Sequence, residues 1–499
     1  MNTATLSDAD IQTLMQRAAN LQRSGRTAHA AETLQTLIQG APDHYPALCA
    51  LASLCASNGQ LDVALHYATH ASRVNPEGFE SLALIAQLQQ QRGDFAAARE
   101  AMEAAARIQT DNDRIHFNLG VLSEQLGDTA AAMTAYRRAV SLNGDNLDAC
   151  ANLAMLELAA NEEDNAIRLF AKVNAAKRGT ASMLESGATP PNLPDAEGLS
   201  SRFKMKMDLE QLVWLHDQNK LPDYASELPD ALRQALADLG DDEPDQDAFR
   251  RQHPRHHWKT HWQLVNRLHN RPIVVPDGDR PDGPLINPNL DSAAISEAYF
   301  SSTPNHVVVD DFLTDSALDA LRQFCQTATI WHDLRRNYLG AYLADGFATP
   351  LTLGIAYALR RALPEIFGAH ALTQAWGYKY GAAVNGIGMH ADAAAVNCNF
   401  WITDDAANRN ADNGGLLIYK KAAPLEWDFN TFNNDAEAMR RFLGEDINDP
   451  IRIPHRANRI VIFNSNLFHR TDDIHFKDDF LSRRYNMTLL YGRRERPER

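Results

Sequence analysis

Gly127-Asp128-Thr129-Ala130-Ala131-Ala132 has an upstream counterpart, Gly93-Asp94-Phe95-Ala96-Ala97-Ala98, and this pair decides how the first third of the chain is read. Working outward, Gly25, Gly59, Gly93 and Gly127 fall at one constant interval, and Asn161 continues the series. Ala30, Ala64, Ala98, Ala132 and Ala166 keep the same period, each five places after a member of the first set. Gly and Asn enter the left-handed region cheaply, so each ends a first helix. The small alanine then lets a second helix approach the first closely. Pro42 and Pro76 occupy equivalent places and close their units. The spacing predicts five helical hairpins at about 11–44, 45–78, 79–112, 113–146 and 147–180. One such hairpin cannot bury its apolar face alone, so neighbours stack into an all-α solenoid over residues 1–180.

This period resembles the tetratricopeptide repeat family, whose unit is about 34 residues long. The glycine and alanine positions match, while the large aromatic positions of that family are often Leu, Ala or Ser in this chain. The resemblance implies a concave surface that takes a protein or peptide segment. Dimerising or stiffening the protein is the alternative use of such an array.

Bulk properties narrow the field further. At 499 residues the chain is too long for one core. A net charge of -16 argues against nucleic acid and against an anionic membrane surface as the main partner. No apolar run approaches the roughly 18 residues of a membrane helix. The first residues, Met1 to Asp8, show neither the basic nor the apolar region of an export signal. Cys49, Cys55, Cys150, Cys325 and Cys398 form no CxxC pair and are odd in number, which reads as reduced thiols in a cytoplasmic protein. No feature sets an oligomeric state.

Residues 181–221 read as a Pro/Gly-containing linker followed by a helix near Met205–Lys220. Residues 222–299 read as a mostly helical connecting region. Within it, His257 and His261 have the i, i+4 spacing of a helical metal pair. No Glu stands between them as a metalloprotease would need, so a packed or solvated helix face is the preferred reading.

From about residue 300 the texture changes. Val307-Val308-Val309 reads as a strand leading to a helix at Asp315–Thr327, and a second helix is expected at 350–363. Strand-like segments follow near 374–381, 397–403, 414–420, 458–465 and 484–491. Short strands without alternating helices suggest an antiparallel sandwich or barrel, with a jelly roll as the choice. His390 and Asp392 are two apart, so an extended segment points both to one face. His469 follows the strand Arg459 to Phe463. Two imidazoles and one carboxylate can hold Fe(II) on one face and leave other positions open. Along Arg484–Leu490, Arg484, Asn486 and Thr488 share one face and Arg483 takes the other. Arg484 is therefore favoured over Arg483 to point inward and grip a carboxylate.

In order, these segments are Tyr378-Lys379-Tyr380-Gly381, Gly388-Met389-His390-Ala391-Asp392, Asn413-Gly414-Gly415-Leu416, Phe463 to Asp472, and Arg483 to Gly492. Together they resemble the 2-oxoglutarate- and iron(II)-dependent oxygenases, within them the prolyl-hydroxylase-like group, over roughly residues 300–499. The resemblance implies a double-stranded β-helix (jelly-roll) domain of α+β class after the solenoid. It makes His390, Asp392 and His469 the iron ligands and the catalytic set, with His475 as the fallback ligand. It makes Arg484 and Tyr380 the anchors of the far carboxylate of 2-oxoglutarate, with Thr488 on the same face. Asn397, Asn399 and Trp401 alternate on one strand and are expected to line the pocket. The two asparagines depart from the apolar or hydroxyl residues of relatives, and if buried they need partners. Fe(II), 2-oxoglutarate and dioxygen are the implied cofactors, with ascorbate as a candidate reductant. The expected activity is a dioxygenase that hydroxylates a protein or peptide side chain recruited by the repeats. The alternatives are a small-metabolite hydroxylase whose repeats serve assembly, and a non-catalytic repeat adaptor with a sensor-like barrel.

Overall fold

The computed structural model describes residues 6–191, 200–239 and 258–494, and it divides into two compact units, Met1–Leu156 and Glu157–Arg499. The first unit is built from helical hairpins: Asp8–Arg23 with Thr27–Gly40, Tyr45–Ser57 with Leu61–Val74, Phe79–Gln91 with Phe95–Ile108, and Asp113–Gln125 with Thr129–Leu142. The Gly-Asp pair of the opening stretch explains its own recurrence. Gly93 (φ 80°) and Gly127 (φ 75°) turn the chain out of the first helix. The next amide then closes back on it, Asp94 N–H to the Gln89 carbonyl and Asp128 N–H to the Ser123 carbonyl, both at 2.9 Å. The same aspartates cap the second helix, accepting from the Ala97 and Ala131 amides at 3.1 Å. Ala30, Ala64, Ala98 and Ala132 are fully buried, as close approach of paired helices requires. Gly120 lies against Tyr136, where a Cβ would collide with the ring.

The unit boundary runs through the fifth hairpin, whose first helix is Leu147–Ala159. Its second helix, Glu163–Arg178, belongs to the second unit and is tied there by polar contacts. Buried Arg178 pairs with Asp345 at 3.2 Å, and at the end of the first helix the Leu158 carbonyl accepts from the Tyr357 hydroxyl at 3.0 Å.

The second unit contains twelve described strands: β1 His306–Val309, β2 Asp333–Arg335, β3 Tyr338–Tyr342, β4 Leu372–Tyr380, β5 Ala383–Asn385, β6 Val396–Trp401, β7 Leu416–Ala422, β8 Ile451–Ile453, β9 Ile460–Asn464, β10 Leu467–Thr471, β11 Asp473–His475 and β12 Tyr485–Tyr491. Seven form one antiparallel sheet in the order β1-β9-β6-β12-β4-β3-β2. A three-stranded sheet, β10-β7-β8, and a pair, β11-β5, complete the set. Trp401, Val461 and Phe463 of the large sheet share one buried cluster with Leu416, Ile418, Ile453 and Leu467 of the small one. The two sheets therefore face each other across an apolar layer. Helices Asp315–Thr327 and Pro350–Ala362 form where the sequence places them. Helices Arg202–Asp217, Leu228–Leu239 and Thr260–Leu268 make a separate core around Met205, Leu212, Leu232 and Trp262. No helix among the described residues is long and apolar enough to cross a membrane.

Candidate metal centre

His390 and His469 face each other as a reciprocal backbone pair. The His390 amide donates to the His469 carbonyl at 3.0 Å, and the His469 amide donates back at 2.8 Å. Residues opposed in this way carry their side chains close together, and the two imidazole rings lie 4.3 Å apart. Two residues on, Asp392 returns to the same side. Its carboxylate oxygens lie 3.8 Å from His390 Nε2 and 3.4 Å from His469 Nε2. One ligand atom from each residue falls within 4.8 Å of the others, a grouping found for no other His, Cys, Asp or Glu trio among the described residues.

The ring nitrogens on the far side are already committed. His390 Nδ1–H donates to the Gly388 carbonyl at 2.8 Å and His469 Nδ1–H to the Leu467 carbonyl at 3.0 Å. A carbonyl can only accept, so Nδ1 carries the proton in each ring, and it is Nε2 that faces the centre. Burial, and then the neighbouring His469, hold the His390 imidazole below its ordinary value and keep it neutral. Burial pushes the Asp392 carboxyl upward, but His469, His390 and Asn397 together outweigh it and keep the group anionic. Neutral imidazole and ionised carboxylate are the forms that bind a cation.

Arg484 enters from the start of β12 with 2% of its surface exposed. Its Nε–H donates to the Gly414 carbonyl at 2.7 Å, and its guanidinium lies 4.7 Å from the Tyr380 ring centre. No ion pair to a carboxylate reaches it among the described residues. Burial pulls its pKa down, the cost of a desolvated cation, with Tyr380 and Asp472 opposing the shift. Arg483 points the other way. It pairs with both Glu210 oxygens at 2.9 and 2.6 Å and with Asp478 at 2.7 Å.

Asn397 and Asn399 are buried, and each has partners. Asn397 Nδ2 donates to Asp392 at 2.5 Å, and Asn399 Nδ2 donates to Asn397 Oδ1 at 2.9 Å. The Thr488 hydroxyl donates to Asn399 Oδ1 at 3.3 Å. Trp401 shares their strand face but does not line the pocket. It is fully buried between the sheets against Leu416, Ile418 and Val461, because the sheets close together at that end. His475 is exposed on β11, outside the trio. His261 binds Asp238 at 2.7 Å, and His257 lies outside the described residues.

The trio and Arg484 line a cleft of about 1060 Å³. One wall is a run of rings: Tyr338 and Tyr342 from β3, which the sequence analysis did not single out, then Trp376, Tyr378 and the expected Tyr380 from β4. Neighbouring rings meet tilted or edge-on, for example at 33° for Tyr338 with Tyr380 and at 68° for Tyr338 with Tyr378. Trp376, Tyr378 and Tyr380 stand two apart, a spacing that already gives a common strand face. The opposite rim comes from helices Phe429–Asn433 and Ala436–Leu443, inserted between β7 and β8. Phe429 is 56% exposed at its edge. The insert grips the trio's own segment: Ala391 N–H donates to the Phe432 carbonyl and Asn433 Nδ2 to the Ala391 carbonyl, both at 3.0 Å.

The family model described as tetratricopeptide repeat matches residues 83–146. The chain carries tetratricopeptide repeats. Repeats of this kind generally mediate protein–protein interaction. No curated protein matches the chain. Among solved structures, similarity is found to a MamA protein (16% identity, TM-score 0.31, covering 33% of this chain and 91% of that one). It is found also to residues 41 to the end of MamA from Desulfovibrio magneticus RS-1 (15%, 0.31, 34% and 94%). A thermophilic tetratricopeptide repeat protein of Thermus thermophilus is similar at 20% identity, with a TM-score of 0.26 and coverage of 32% and 89%.

Proposed function

We propose that this protein is a 2-oxoglutarate- and Fe(II)-dependent dioxygenase of prolyl-hydroxylase-like type, acting on a protein or peptide side chain, with the repeats recruiting substrate or partner. The facing sheets are read as its jelly roll. The single observation that carries the proposal is the His390–Asp392–His469 trio with Arg484 lining the same cleft. The donor set suits Fe(II), since two imidazoles and one carboxylate are a ligand set that would hold that ion and leave positions free for a bidentate ligand. Iron bound there with 2-oxoglutarate would supply the oxidising power, releasing succinate and carbon dioxide and placing one oxygen atom of dioxygen in a substrate C–H bond.

The chain's own residues supply position and shelter. Arg484 offers a planar fork to the remote carboxylate, and Tyr380 packs against that fork. Gly414 holds the guanidinium in place through its carbonyl. The aromatic wall and the 423–449 insert narrow access of water to the trio. The cleft's volume and the exposed Phe429 rim suit an extended polypeptide.

The test needs no substrate. Purified protein given iron and 2-oxoglutarate should form succinate slowly, and His390→Ala should abolish this. Full iron loading without any succinate would reject the oxygenase reading.

A further inference from the structure

Five hydrogen bonds join Arg484 to Asp392 through buried side chains on two neighbouring strands. Arg484 Nη1 donates to Asn486 Oδ1 at 3.2 Å, Asn486 Nδ2 to the Thr488 hydroxyl at 3.3 Å, and Thr488 to Asn399 Oδ1 at 3.3 Å. Asn399 then donates to Asn397 at 2.9 Å, and Asn397 to Asp392 at 2.5 Å. One end is a guanidinium, which can only donate. The other is a carboxylate, which can only accept. Between fixed ends the three amides and one hydroxyl have a single consistent orientation. Turning any amide over leaves a buried donor facing a donor, or an acceptor facing an acceptor. Every member is at most 9% exposed, so such a break leaves a largely buried polar atom without its side-chain partner.

We propose that Asn397, Asn399, Thr488 and Asn486 are positioning residues that lock the rotamer of Asp392 for metal binding, with Arg484 setting the polarity of the whole row. The inference rests on the metal-centre reading above and extends it to residues that touch no metal. Thr488 is the informative member, because two amides separate it from Asp392. If the row acts as a unit, removing one hydroxyl there loosens the carboxylate. If Asn397 acts alone, Thr488 is mere packing.

The experiment is titration of the full chain with Mn(II) alone, free ion followed by its paramagnetic resonance, without 2-oxoglutarate and without turnover. Melting temperatures of each variant report folding. Asn397→Leu should bind Mn(II) about tenfold more weakly than the parent, the lower end for changes one layer out from a metal's ligands. Thr488→Val, nearly the same shape, should be weakened several-fold, and Thr488→Ser should return to the parent affinity. Parent-like binding by Thr488→Val, or failure of Thr488→Ser to recover, overturns the proposal. A parent protein that takes up no Mn(II) overturns the metal centre itself.

Discussion

Arg483 and Arg484 are neighbours with opposite lives, one in an ion pair with helix Arg202–Asp217 and one against the Tyr380 ring in the cleft. Strand period separates them, which is why this residue-scale assignment could be made from sequence. On the proposed activity, Arg484→Gln should raise the KM for 2-oxoglutarate more than tenfold in the succinate assay, since a buried charge–carboxylate contact is worth several kcal/mol. Arg483→Gln should leave that KM within about twofold and lower only the melting temperature. Lys379 gives a second prediction. Burial, above all, pulls its amine from 10.5 to about 7. Below pH 7 both folded and unfolded chains hold the proton, and the whole cost of the buried ammonium is present. Between pH 7 and 10.5 the folded chain has released a proton the unfolded chain keeps, so stability rises with pH, by at most about 1.4 kcal/mol per unit. The stability of Lys379→Met relative to the parent, from urea midpoints, should therefore be most favourable at pH 7 and decline toward pH 10. A constant difference would show that Lys379 titrates as an exposed lysine does.

Elements were legible in proportion to their period. The helical hairpins repeat at a constant interval and could be placed from Gly93 and Gly127 alone. The strands β1, β4, β6, β7, β9 and β12 show in the sequence because they alternate or run apolar over four residues or more. β2, β5, β8 and β11 have three residues each, too few to show a period, and β3 and β10 are five-residue strands that tertiary pairing creates. Losing β3 from the sequence reading also lost Tyr338 and Tyr342, and with them the aromatic wall. The 423–449 insert escapes that reading because its short helices have no repeat to give them away. At this scale, Gly127→Ala tests the hairpin turn. No atom lies near the added methyl, so the cost is the left-handed backbone alone, about 1 kcal/mol. Amide exchange should quicken in helices Asp113–Gln125 and Thr129–Leu142 and stay unchanged in the sheets.

For the molecule as a whole, charge is the property that composition states most directly. A chain at -16 should show no retention of duplex DNA in a filter assay at about 150 mM salt, even at tens of micromolar protein. Tight retention would mean that a local basic surface overrides the total. The candidate metal trio joins residues 390 and 392 to residue 469, distant in the chain, and no local pattern shows that they converge. Its order along the chain was readable, whereas the row of amides tying it to Arg484 follows from the pairing of β6 with β12.

Ala391 is a fully buried methyl between His390 and Asp392, and the insert takes both its amide and its carbonyl. The peptide that spaces His390 from Asp392 is thereby anchored to the insert through both of its polar atoms. One short helix, Phe429–Asn433, therefore carries the exposed ring at the rim and both groups that hold Ala391. On the proposed function, a guest settling on that phenyl ring would rest on the same helix that fixes the spacer between His390 and Asp392.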